Sequence, residues 1–151
     1  MSGPIHRAVQ VRCDASAAFR AFTERIELWW PPNHRRLAGA QLVLEGEVGG
    51  RFLERGPGGA EALWGAVQVW EPPHRLVLTW WPGALTAPTL VEVRFTPIGP
   101  ETRVEITHSE ADAQLGAEWP GRAARFEANW IQVLTALANH VTPPEAPEPA
   151  G

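Results

Sequence analysis

Six segments of strand length follow one another with no helix between them, and a single long amphipathic stripe follows the last. Few folds satisfy that order. The segments run from Ala40 to Glu45, Gly50 to Arg55, Ala62 to Glu71, Arg75 to Trp81, Leu90 to Pro97 and Arg103 to Ser109. Between them stand Gly-Gly, Gly-Pro-Gly-Gly, Pro-Pro-His, Pro-Gly and Gly-Pro-Glu, each suited to a tight reversal. Consecutive strands with such short links predict an antiparallel meander. Alternation is clearest near the end, where Val91, Val93 and Phe95 oppose Glu92 and Arg94, and Val104 and Ile106 oppose Arg103, Glu105 and Thr107. One face of that part of the sheet is therefore dry. From Ala62 to Glu71 both parities carry bulk, with Leu63, Val67 and Val69 against Trp64 and Trp70, so the inward face of this strand stays open.

The two ends complete the order. Ile5, Val9, Val11 and Cys13 alternate with His6, Gln10 and Arg12, which predicts a half-buried first strand. Asp14 then precedes an Ala-rich run, and a carboxylate placed there accepts from the free N–H groups of a first helical turn. That helix is expected to continue brokenly to Trp29-Trp30 and to stop at Pro31-Pro32. Phe126, Trp130, Val133, Leu134, Leu137, Ala138 and Val141 recur at the three-and-four spacing of one helical face, with Glu127, Gln132, Thr135 and Asn139 opposite. This predicts a long C-terminal helix. Residues 1–142 read as one domain, and Pro143 to Gly151 as a Pro/Ala/Glu tail expected to be disordered.

Composition narrows the function. A formal net charge of −4 opposes binding to the phosphates of nucleic acid, which needs a basic patch. The longest apolar runs fall far short of the roughly 20 residues that span a bilayer, and MSGPIHRAVQ lacks the apolar stretch of a secretory signal. No membrane partner is expected, and the cytoplasm follows as the compartment. Cys13 is the only cysteine, so no internal disulfide and no cysteine metal cluster is available. His6, His74 and His140 are scattered, and no HExxH or CxxC spacing occurs, so neither a metal nor another cofactor is implied. The eight tryptophans need a structural reading, because such large rings line cores, interfaces or pockets.

At this point the sequence resembles the SRPBCC superfamily, the START-like or Bet v 1-like helix-grip proteins. Within it, the resemblance is to the family of activator of heat-shock protein 90 ATPase homologues. Asp14-Ala15-Ser16 with Phe19 and Trp29-Trp30 carry it, as do Gly49-Gly50-Arg51-Phe52, Gly65-Ala66-Val67 and Glu71-Pro72-Pro73-His74-Arg75-Leu76 with Thr79-Trp80. Val91 to Pro97, Thr102 to His108, and Asn129-Trp130 with Leu134 and Leu137 complete it. The resemblance implies an α+β fold: a curved antiparallel sheet of about seven strands around a long C-terminal helix, with two short helices after strand one. It also implies an apolar cavity between the helix and the inner sheet face. It does not supply a ligand, since fold does not fix function.

Trp30, Leu78, Trp80, Val93, Phe95, Ile106, His108, Phe126, Trp130 and Val133 are the residues expected to line that cavity. Any one aromatic among them is either plain core or pocket wall, and pattern alone does not separate the two. His108 continues the inward parity of Val104 and Ile106, with Glu110 beyond it at the rim. It reads either as a hydrogen-bonded strand-end histidine or as an acid or base. Trp29-Trp30 reads as a lip of the entrance or as a staple onto the sheet. His34-Arg35-Arg36 reads as a solvated loop or as a receptor for an anionic group. Glu92 and Arg94 are expected to pair across strands with Arg103 and Glu105 on a solvated face. The favoured function is binding of a hydrophobic or aromatic small molecule. The alternatives are a cyclase, hydrolase or dehydratase using His108, and an interaction domain for a chaperone. The co-chaperones carry a further N-terminal domain, which weighs against a chaperone partner. A homodimer contact through exposed tryptophans stays open.

Overall fold

The computed structural model describes residues 4–31, 34–35, 37, 39–80, 88–110 and 118–141. The tail after Thr142, Trp81 with the Pro-Gly separator, and Pro32 and Arg36 of two sequence motifs lie outside the described residues. The first strand, β1, spans Ile5–Val11, and two short helices follow, α1 at Ala15–Thr23 and α2 at Ile26–Trp29. The meander is β2 (Gln41–Leu44), β3 (Arg51–Arg55), β4 (Glu61–Glu71), β5 (Arg75–Trp80), β6 (Thr89–Ile98) and β7 (Glu101–Ser109), and the last helix, α3, spans Trp119–Val141. These seven strands form one antiparallel sheet in the order β1-β7-β6-β5-β4-β3-β2. The only crossover places β1 beside β7, as a helix-grip fold requires.

Local chemistry accounts for the element ends. Asp14 caps α1, accepting from the Ala17 amide at 2.7 Å. The chain breaks at Glu24 and Arg25, and the Trp29 indole then donates to the Ala21 carbonyl at 2.7 Å, fastening α2 back onto α1. The last helix begins at Trp119, about two turns before Phe126, the first residue of the stripe. Proline is tolerated in a first helical turn, so Pro120 opens the helix instead of barring it, and Trp119 is buried beneath that turn. Trp130, Val133, Leu134 and Leu137 of α3 are buried against the sheet, as the stripe predicts.

The open question about β4 has a structural answer. β4 pairs with β3 from Glu61 to Ala66 and with β5 from Val67 to Glu71, and each pairing slips once. Trp64 is the extra residue in the first and Gln68 in the second. Each bulge reverses the parity of the strand, so Trp64, Val67 and Trp70 all pack on the core although they obey no single alternation. Leu63, on the other side, is half exposed.

On the outer face the charges pair, though not as expected. Arg75 reaches across to Glu92 at 2.6 Å, whereas Arg94 meets Glu92, and Arg103 meets Glu105, along their own strands. Register places Arg94 opposite Glu105, but it also places Arg94 opposite Arg75 on the other side, and both guanidiniums converge on Glu92. Exposed pairs of this kind contribute about 0 to 1 kcal/mol each.

Candidate functional site

Between the inner sheet face and α3 the aromatic residues form a continuous set. Trp80, at the end of β5, lies 5.1 Å from Trp64, 5.3 Å from Trp130, 5.6 Å from Phe52 and 6.1 Å from Trp30, centroid to centroid. Trp30 in turn meets Trp130 edge to face at 6.2 Å. Each such pair is worth about 0.5–1.5 kcal/mol beyond the area it buries. A sheet wall, the end of α2 and the middle of α3 thus meet through their rings.

His108 closes one end of this set and is fully buried. It stands opposite Val91, one inward position along from Thr89, which itself faces Trp80. The hydrogen bonds fix its state. The Trp130 indole N–H donates to Nδ1 at 2.9 Å, so Nδ1 carries no proton and the neutral ring holds its hydrogen on Nε2. That hydrogen is donated to Thr89 Oγ1 at 2.8 Å, and the Thr89 hydroxyl donates to the Trp80 carbonyl at 2.9 Å. Phe126 stacks on the ring at 4.5 Å, and Trp119 meets it at 6.0 Å. Burial pushes the His108 pKa down to about 3, since a charged ring here would lose its hydration. A base needs a free lone pair, and the one lone pair of His108 is occupied by Trp130. The structure therefore supports the hydrogen-bonded strand-end reading of His108 over the acid–base one.

This state has a measurable consequence. The unfolded chain takes up a proton at His108 near the ordinary histidine value, while the folded protein refuses it until about pH 3. Stability from this group is thus complete above about pH 6.5 and falls below it by up to about 1.4 kcal/mol per pH unit. In NMR, the His108 ring is expected to keep the neutral Nε2–H tautomer from pH 8 to pH 4.5. A titration midpoint between 5.5 and 7 would refute the assignment.

Of the expected site residues, Trp30, Trp80, His108, Phe126 and Trp130 come together in direct ring contact. Leu78, Val93, Ile106 and Val133 are buried in the surrounding core. Phe95 is buried too, but its ring meets Phe19 at 5.1 Å and Phe22 at 6.0 Å, at the other end of the interior. Trp29 and Trp30 are 7% and 3% exposed, so both rings point inward.

Arg35 is neither solvated nor free to receive an anion. Its guanidinium donates to both carboxylate oxygens of Glu27 at 2.8 Å and to the carbonyls of Glu27, Trp30 and Ala40. Glu27 also accepts from the Leu42 amide, so the pair fastens α2 to the entry of β2. His34, beside it, meets Gln132 of α3 at 2.7 Å.

Sequence reasoning missed Phe52, Trp64, Trp119, Thr89 and Glu54. Glu54 is a fully buried carboxylate on β3 that accepts from the Trp64 indole and the Leu37 amide. A lone Glu between Leu53 and Arg55 carries no signal of burial. Among the described residues, no group of three or more His, Cys, Asp or Glu side chains is placed to hold a metal, and no helix is long and apolar enough to cross a membrane.

The family model described as Activator of Hsp90 ATPase homolog 1-like protein matches residues 12–142. Among solved structures, an anthrahydroquino-Gama-pyrone synthase, Txn09, is 30% identical over 91% of this chain and 96% of that one, with a TM-score of 0.61. CalC of Micromonospora echinospora, a self-sacrificing resistance protein, is 24% identical over 92% and 94%, with a TM-score of 0.70. The Aha1 dimer of Colwellia psychrerythraea is 15% identical over 97% and 100%, with a TM-score of 0.69. The comparison with curated proteins finds no match.

Proposed function

The chain belongs to the Activator of Hsp90 ATPase homolog 1-like family, and from that premise we propose that it binds a flat apolar or aromatic small molecule between the inner sheet face and α3. The observation that carries this reading is the convergence of Trp30, Trp64, Trp80 and Trp130 from three parts of the chain. Four indoles present broad, stiff surfaces against which a planar ligand stacks with little loss of side-chain freedom. Leu78, Val93, Ile106 and Val133 add apolar wall, Phe126 and His108 bound one end, and Phe95 contributes from the far end. Burial supplies the affinity, and few polar groups are needed to orient the ligand.

The test is a fluorescence titration of the full chain with two-, three- and four-ring aromatic compounds. Saturable one-to-one quenching of tryptophan emission is expected, and Trp130→Phe should weaken it about tenfold, since it removes part of the stacking surface and the N–H donor to His108. Absence of saturable quenching across the panel would sink the proposal.

Identity of 30% with a synthase favours a second reading, turnover in the same interior. His108 does not suit it, for the reasons above. Glu54, a buried carboxylate joined to the rings through Trp64, is the group to vary. Loss of turnover with retained binding in Glu54→Gln would support the enzyme.

A further inference from the structure

A groove lies outside the aromatic interior. Ser16, Phe19 and Arg20 of α1, spaced three and four apart, face the turn between β4 and β5, and with Pro72 and Pro73 they line a surface groove of about 340 Å³. Its floor is firm, because Phe19 is 3% exposed and wedged edge-on between Trp70 and Phe95, both at 5.1 Å. Its one cation is uncommitted. Arg51, Arg55, Arg75, Arg94 and Arg103 of the sheet each reach a carboxylate. The Arg20 guanidinium makes no hydrogen bond or ion pair among the described residues. A charged head beside two proline rings and a phenyl edge suits a carboxylate carried on a short, apolar, extended segment.

We propose that the occupant is this chain's own segment Pro143-Pro144-Glu145-Ala146-Pro147-Glu148-Pro149, with a glutamate on Arg20 and proline rings against Phe19, Pro72 and Pro73. Three observations carry it. The segment has the complementary chemistry, two carboxylates, four prolines and no basic residue. It starts at the right end of the molecule. β1 runs from Ile5, opposite His108, to Val11, opposite Thr102, and α1 begins just beyond. α3 starts beside His108, is tied to β1 by Arg7 and Glu127 at 2.9 Å, and packs against α1 before ending at Val141. The reach also suffices, because seven residues beyond Val141 at about 3.1 Å each give Glu148 a span of about 22 Å, twice the width of a helix. Tethering raises the effective concentration into the millimolar range, so half-occupancy needs a contact worth about 4 kcal/mol, of which the exposed ion pair supplies about 1 kcal/mol at most and proline packing the rest. The inference is independent of what the interior binds.

The test is NMR on the full chain in a Cys13→Ser background, with a nitroxide on Ala146→Cys. Expected is broadening of the Ser16, Phe19 and Arg20 amides at least fivefold greater than that of Leu63, abolished by Arg20→Ala and reduced by Glu145→Gln with Glu148→Gln. Arg20 is exposed, so its replacement leaves the fold intact. Equal broadening at the groove and at Leu63, or broadening unchanged by Arg20→Ala, would overturn the proposal. So would a groove that responds to added acidic peptide while ignoring the tethered segment, which would assign it to another protein.

Discussion

Gly65→Ala is expected to cost about 4 kcal/mol or more, enough to leave a protein of ordinary stability largely unfolded at room temperature. A Cβ built on Gly65 lies 1.8 Å from the Thr79 carbonyl oxygen and 2.8 Å from its carbon. Both are backbone atoms of the neighbouring strand, so no rotamer change relieves the clash. β5 has to move, and it carries Leu78 and Trp80 of the interior with it. The close approach has a local cause. The Thr79 hydroxyl takes the place of a ladder partner here, accepting from the Ala66 amide at 2.9 Å and drawing the strands together beside the first bulge. Gly49→Ala is the control. It has a φ of +86° but nothing within 4 Å of the added carbon, so its cost is about 1 kcal/mol of backbone strain. Urea unfolding followed by circular dichroism checks both. A Gly65→Ala variant within 1 kcal/mol of wild type would show that β4 and β5 do not approach as described.

Trp80→Ala is the second large effect, at about 3–5 kcal/mol. The ring contacts Trp30, Phe52, Trp64 and Trp130 and stands 6.3 Å from His108, so its loss opens a hole bordered by five other rings. Trp80→Phe keeps part of that surface and is expected to cost less than half as much. The two substitutions also separate stability from binding, because the phenylalanine variant should fold and still lose affinity for planar ligands. If Trp80→Ala moves the urea midpoint by an amount worth less than 1 kcal/mol, the ring set is not the structural centre of the interior.

These effects bear on what could be read from the residues alone. The alternation of β6 and β7 and the stripe of α3 were legible because each is a local period on a single face. His108 was placed inward by the same parity. Its proton was not legible, because that depends on Trp130, 22 residues away, and on Thr89 across the strand. β4 resisted reading for a related reason. Its bulges are set by the registers of β3 and β5, and two parity reversals in one strand leave no periodic trace. Arg35 misled in another way. Three of its five hydrogen-bond acceptors are the backbone carbonyls of Glu27, Trp30 and Ala40, and backbone acceptors have no sequence signature. Trp64 and Phe52 entered the site only once the sheet was closed.

The change of partner along β4 sets how the molecule comes apart. Its first half belongs to a ribbon with β3 and β2, and its second half to the larger sheet with β5, β6, β7 and β1. Bonds from Val67 to Gly49 and Gly50, and from Ala66 to the Thr79 hydroxyl, join the two halves, but β2 is a four-residue edge strand paired on one side alone, so opening starts from that ribbon. Amide hydrogens of β2 and β3 should thus exchange together, well ahead of those in β6 and β7. The interior would be reached from the Phe52 side while the wall that carries His108 still holds its protons against solvent.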